Sequence, residues 1–148
     1  MSVKFKFIPN IEDGFLRPAQ IGTVLAPLVT ADIHKAVMYG PNDNVLLCGD
    51  GDEISSFLVT VDTSLSQDGF KLGDIQDVEV GSRRRVRTSG ATVVAGTTLV
   101  VGAAQSASGI ADAYATVRAG TPLIYRWIVR SIISGGGTAG SIVVIERV

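Results

Sequence analysis

Residues 134–148 read SGGGTAGSIVVIERV, and the meaning of that glycine triplet decides the fold. A glycine-rich segment either wraps its N–H groups round a phosphate or turns the chain between two strands. The first use needs a lysine to reach the outer oxygens and a helix whose positive end faces the anion. Neither follows Gly135, Gly136 and Gly137. After Thr138-Ala139-Gly140-Ser141 come Ile142, Val143, Val144 and Ile145, β-branched residues that suit a pleated surface. Before the glycines, Tyr125-Arg126-Trp127-Ile128-Val129-Arg130-Ser131-Ile132-Ile133 is equally rich in aromatic and branched residues. The two runs therefore predict a hairpin with a longer loop.

Working back along the chain, the same pattern recurs. Lys35–Tyr39 and Val45–Cys48 flank the turn signal Gly40-Pro41-Asn42-Asp43-Asn44. Phe57–Val61 follows Gly49-Asp50-Gly51-Asp52, and Gln67-Asp68-Gly69 leads toward a strand at Asp77–Val80. Arginines at 83–87 and a run from Ala91 to Val101, broken by Gly96, continue the series. Strand signals every ten residues or so predict an all-β sandwich or barrel. Residues 11–29 carry Asp13-Gly14, Pro18, Gly22 and Pro27, too many breakers for a helix, and are expected to be irregular with one or two short strands. Alanines in 106–119 allow one short helix or a loop followed by a strand. Val3–Ile8 alternates lysine with apolar residues, so residues 1–10 read as an extended arm or an edge strand, with 11–148 as a single β-domain.

Composition narrows the function classes. With 148 residues, 46% of them hydrophobic and only 18% charged, the chain can bury a core without staples. A net charge of -1 gives no global attraction to nucleic acid or anionic membrane, so an electrostatic partner must meet a local patch. The single cysteine, Cys48, cannot form an internal disulfide and reads as a small buried hydrophobe. Lys4 and Lys6 lack the apolar stretch of a signal peptide, and no window approaches the roughly eighteen apolar residues of a membrane helix. A soluble cytoplasmic product is expected.

Chemical motifs are sparse. His34 is the sole histidine, and no serine stands in a G-x-S-x-G elbow, so neither a zinc site nor a hydrolase triad has its usual signature. Asp43, Asp50, Asp52 and Glu53 miss the spacing of a calcium loop because Val45, Leu46 and Leu47 intervene. These residues predict no enzyme and no cofactor. The densest charge feature is Arg83-Arg84-Arg85-Val86-Arg87. Without interleaved aromatics to stack bases, it favours docking on an acidic protein surface over nucleic acid. Arg126 and Arg130 share one strand face, with Trp127 and Val129 on the other, which puts either set at a subunit boundary or the tryptophan in the core.

The runs DIHKAVMYGPNDNVLLCGDGDEISSFLVTVD (32–62), RTSGATVVAGTTLVVGAAQSASG (87–109) and AYATVRAGTPLIYRWIVRSIISGGGTAGSIVVIERV (113–148) resemble the small capsid decoration, or cement, proteins of tailed bacteriophages. The likeness covers roughly residues 19–148 and lies in spacing and composition rather than in a catalytic motif. It implies a β-barrel or β-sandwich that binds the major capsid protein on the outside of an assembled head, commonly as a homotrimer, and is carried on the virion. It also implies an extended terminal arm, for which residues 1–8 with Phe5 and Phe7 are the candidate. The arginine run and the 126–130 strand have no assigned place in that family; from the residues themselves, with the arm, the expected capsid or subunit contacts are Phe5, Phe7, Arg83, Arg84, Arg85, Arg87, Arg126, Trp127 and Arg130. A nucleic-acid-binding barrel using Arg83–Arg87 and a hydrolase centred on His34 are the alternatives.

Overall fold

The computed structural model describes residues 14–41, 43–65, 71–103, 105 and 109–148. Phe5, Phe7 and the expected arm lie outside them. Among the described residues ten strands follow in order: β1 Gly14–Ile21, β2 Ala36–Tyr39, β3 Asn44–Leu47, β4 Ser56–Leu65, β5 Lys71–Val78, β6 Arg83–Thr88, β7 Leu99–Val101, β8 Thr116–Ala119, β9 Trp127–Ser134 and β10 Ile142–Arg147. The only helical pieces among the described residues are 3-10 turns at Thr30–Asp32 and Gly135–Gly137. The fold is all-β, as its branched runs and turns predict, and no helix of the described residues could cross a membrane.

The first five strands close a barrel in the order β1-β3-β2-β4-β5. Closure depends on β1, which pairs antiparallel with β5 along its length and parallel with β3 at Gln20 and Ile21 only. That limited pairing explains how a strand forms where the breakers predict irregular chain. At Pro18, β1 has a neighbour on one side alone, so the missing N–H interrupts no second ladder. The interior holds Ile21, Leu28, Val37, Val45, Leu58 and Ile75.

The remaining strands form a sheet in the order β7-β8-β6-β10-β9, whose outer members meet at a Thr98–Ile128 bridge. The larger core lies between this sheet and the barrel. Ala36, Cys48, Ile54 and Phe57 come from the barrel half, and Val86, Leu99, Val101, Val117, Trp127, Val129, Val143 and Ile145 from the sheet. Alternation assigns the sides: Phe57 faces this shared core and Leu58 the barrel interior.

Two expected boundaries move. The strand expected at Asp77–Val80 begins at Lys71 and ends at Val78, while Val80 is exposed in a turn that Gly81 completes. Gly73 and Asp74 look like turn residues in sequence. In the fold Gly73 is the position where a Cβ would run into the Thr60 carbonyl, opposite an irregularity in β4. Of the run from Ala91 to Val101, only Leu99–Val101 becomes strand.

The C-terminal hairpin is present, with β9 and β10 antiparallel across two register shifts. Each of the three glycines has positive φ, 83°, 67° and 89° in turn. This is the backbone region that L side chains avoid, so the triplet serves the turn. Gly136→Ala, where a Cβ meets nothing, is expected to cost about 1–2 kcal/mol. Gly137→Ala should cost more, because its Cβ also collides with the Val93 carbonyl oxygen. Thermal melts that rank the two equally would contradict this account of the turn.

Candidate docking face

Strand β6 sorts the arginine run by alternation. Arg83, Arg85 and Arg87 stand on the outer side of the sheet, about 7 Å apart along the strand, and Arg84, Val86 and Thr88 point inward. Arg84 is 3% exposed, and its guanidinium lies 3.8 Å from the centre of the Phe57 ring. It is a core residue with a cation–π neighbour. Trp127 is likewise withdrawn from the surface. It is 0% exposed, packs edge-to-face on Phe57 at 5.9 Å, and donates its indole N–H to the Ile54 carbonyl at 2.8 Å. Both expected contact residues are thus corrected to core positions. Arg84 follows Val86 to the inner face of β6, and a large aromatic with a satisfied N–H packs better there than in water.

The outward arginines converge on neighbouring strands. Arg83 pairs across to Glu146 of β10, and Glu146 also receives Arg130 of β9. Arg83 Nε lies 2.7 Å from Oε1 and Arg130 Nη2 lies 2.6 Å from Oε2. Hydrogen bonds from Arg130 and then Arg83 hold this carboxyl below its ordinary value. Arg130 sits at the register shift between Val144 and Ile145, and alternation with the buried Val129 puts it on the outer face. Arg87 lies 3.4 Å from Asp112, with its guanidinium 5.5 Å from the Tyr114 ring centre. Arg85 stands exposed in the middle of the row, opposite Val144, and has no ion-pair partner among the described residues. Arg126 is exposed just before β9. One sheet face therefore carries Arg83, Arg85, Arg87 and Arg130. Two of its guanidiniums are clamped on a single glutamate, and the central one is open to a partner.

The other candidates separate. His34, at φ 83°, is half-buried; burial, then the charge of Arg84, lowers its pKa from the ordinary imidazole value. It lines a shallow hollow with Thr30, Ala31, Ile33, Ala111, Asp112 and Ala113, and among the described residues no serine is in that lining. Asp50 pairs with Arg118 at 2.6 Å, Asp52 accepts the Gly49 N–H at 2.7 Å, and Glu53 accepts the N–H groups of Ile124 and Tyr125. Among the described residues no three His, Cys, Asp or Glu side chains gather to hold a metal ion. Cys48 is buried, and burial followed by the charge of Asp52 pushes its thiol up to about 12, which leaves it unreactive.

One feature escapes the sequence. Asp32 and Lys35 form an ion pair at 2.8 Å with both side chains 0% exposed. Asp32 also accepts N–H groups from Val29 and Gly109, each at 2.9 Å. The i, i+3 spacing is visible in the chain; the burial depends on Gly109, distant in sequence. Compared with known protein families, curated proteins and solved structures, the chain matches none.

Proposed function

We propose that this chain is a capsid decoration protein that docks its arginine-bearing sheet face on an acidic surface of the major capsid protein, outside an assembled phage head. The resemblance in spacing and composition suggests the class. The observation that carries the docking mode is the outer row Arg83, Arg85 and Arg87 with Arg130, in which Glu146 and Asp112 hold every guanidinium but that of Arg85, on one sheet face of a chain of net charge -1. Guanidiniums fixed before binding lose less rotamer freedom on docking and meet carboxylates bidentately. A protein that binds only the closed, assembled shell stabilises that shell by mass action, and the symmetry of the head repeats each weak contact. In this reading the protein acts as a homotrimer, and residues 1–8 supply a further arm.

The test is co-sedimentation with heads assembled from the cognate major capsid protein. Arg85→Glu is expected to weaken binding at least about tenfold, because it places a carboxylate against an acidic surface. Its melting temperature should stay within about 1 °C of wild type, as for surface changes away from special features. Unchanged sedimentation would remove the arginine face from the docking surface. Binding to a random DNA duplex that falls steeply with salt, and is lost in Arg85→Glu, would instead support the nucleic-acid reading.

A further inference from the structure

One end of the arginine face is held by a segment that is itself pinned to the core. Arg87 pairs with Asp112, whose carboxylate also accepts the Tyr114 N–H at 3.1 Å. Asp112 lies in residues 109–113, which belong to no strand or helix. Among the described residues, the backbone of that stretch bonds to no other backbone group. Its ties are to two carboxylates, Asp32 at its start and its own Asp112 at its end.

The two ties differ in strength. Asp32 is fully buried, and the Oδ1 that accepts the Gly109 N–H at 2.9 Å also accepts the Lys35 ammonium at 2.8 Å. Its Oδ2 is fixed by the Val29 N–H. A charged acceptor makes such a bond roughly twice as strong as a neutral one. The Asp112–Arg87 pair is looser, at 3.4 Å with the arginine side chain 40% exposed, and a surface pair of that kind does little to order the chain that carries it.

Packing does not fix the segment either. Ile33 and His34 stand on one side of the shallow hollow and Ala111, Asp112 and Ala113 on the other. Alanine side chains there leave open space where longer ones would interlock with the turn that carries Asp32. The Gly109 bond is what remains to set where Asp112 stands.

We infer that Asp32 is a positioning residue for the arginine face: its bond to Gly109 holds residues 109–113 where Asp112 meets Arg87, so the inner and outer ties open together. Only the consequence at the capsid rests on the docking reading. An Arg87 released from Asp112 has to be ordered on docking, which weakens binding about threefold. Arg83 and Arg130, clamped on Glu146 at the other end of the face, do not depend on it.

Two double variants separate the bond from the charge. Asp32→Ala with Lys35→Met removes the acceptor together with the ammonium that would otherwise be orphaned. Asp32→Asn with Lys35→Met leaves an amide oxygen for Gly109. Amide hydrogen exchange is followed on the isotopically labelled full chain. In wild type, Gly109 and Tyr114 should exchange through one opening, with protection within about threefold of each other. Both should lose at least about tenfold in protection in the alanine variant and regain most of it in the asparagine variant. Gly81 and Arg147, bonded to each other beside Arg83, should differ by less than about threefold between the two variants.

A Tyr114 amide that exchanges freely while Gly109 stays protected, or one that the two variants leave alike, would overturn the proposal. Should the alanine variant not fold, the wild-type comparison still decides. Co-sedimentation with assembled heads reads the consequence: the alanine variant should bind about threefold more weakly than the asparagine variant. Equal binding of the two, where Arg85→Glu weakens it, would overturn the positioning role. Equal binding of all three would instead remove the docking reading, and the exchange result would stand without it.

Discussion

Replacing Trp127 with alanine is expected to destabilise the protein by about 3–5 kcal/mol, the cost of emptying a large aromatic site in a packed core. For a chain of this size that lowers the melting temperature by roughly 6–20 °C. The reason is specific. Trp127 is fully buried against Phe57, in the cluster that joins the barrel half to the sheet, and its indole N–H is satisfied by Ile54. Trp127→Phe should recover most of the packing while leaving the Ile54 carbonyl without its donor, a residual loss of about 1–3 kcal/mol. Chemical denaturation of the two variants measures both numbers. A Trp127→Ala variant that melts with wild type would mean that the shared core is not where the stability lies.

The second large effect is expected at the buried ion pair. Lys35→Met leaves the Asp32 carboxylate inside the protein without its ammonium partner, and breaking such a pair from one side costs about 3–5 kcal/mol. Removing the other charge as well, in Asp32→Leu with Lys35→Met, should restore only part of the loss. The N–H groups of Val29 and Gly109 would then be left without the oxygens that now accept them. The pair also sets an acid limit. Burial alone would raise the Asp32 pKa, but hydrogen bonds from Lys35, Val29 and Gly109, with the charge of Lys35, bring it below its ordinary value of 3.8. A folded-state value below the unfolded one stabilises the fold above about pH 4, and that contribution is lost as pH falls through the folded value. Melting followed from about pH 7 to pH 2 should therefore drop steeply at the acid end in wild type and less so in Asp32→Asn. Parallel profiles would show that Asp32 does not carry the acid sensitivity.

Much of this architecture is legible in the chain because short-range chemistry writes it. The branched run Ile142–Ile145, the turn at Gly40–Asn44 and the three glycines each allow few local conformations, and the strands form where these predict. The arginine run shows the limit. Its residue types announce a charged surface, but only the pairing of Arg84 with Ile145, and of Val86 with Val143, reveals that the strand turns one of the four guanidiniums into the core. Strand β1 was hidden by Pro18, whose tolerance depends on how many neighbours the strand acquires. The Asp32–Lys35 pair joins residues three apart, but the Gly109 N–H that meets Asp32 comes from a segment far away in sequence. No local pattern encodes the pair's burial.

The docking claim is tested most directly by a cryo-electron microscopy reconstruction of decorated heads at a resolution that orients the β6-β10-β9 sheet. The account predicts that the face bearing Arg83, Arg85, Arg87 and Arg130 lies against the capsid, with Arg85 facing a carboxylate of the major capsid protein. A density in which that face points to solvent, while another surface of the protein meets the shell, would contradict it.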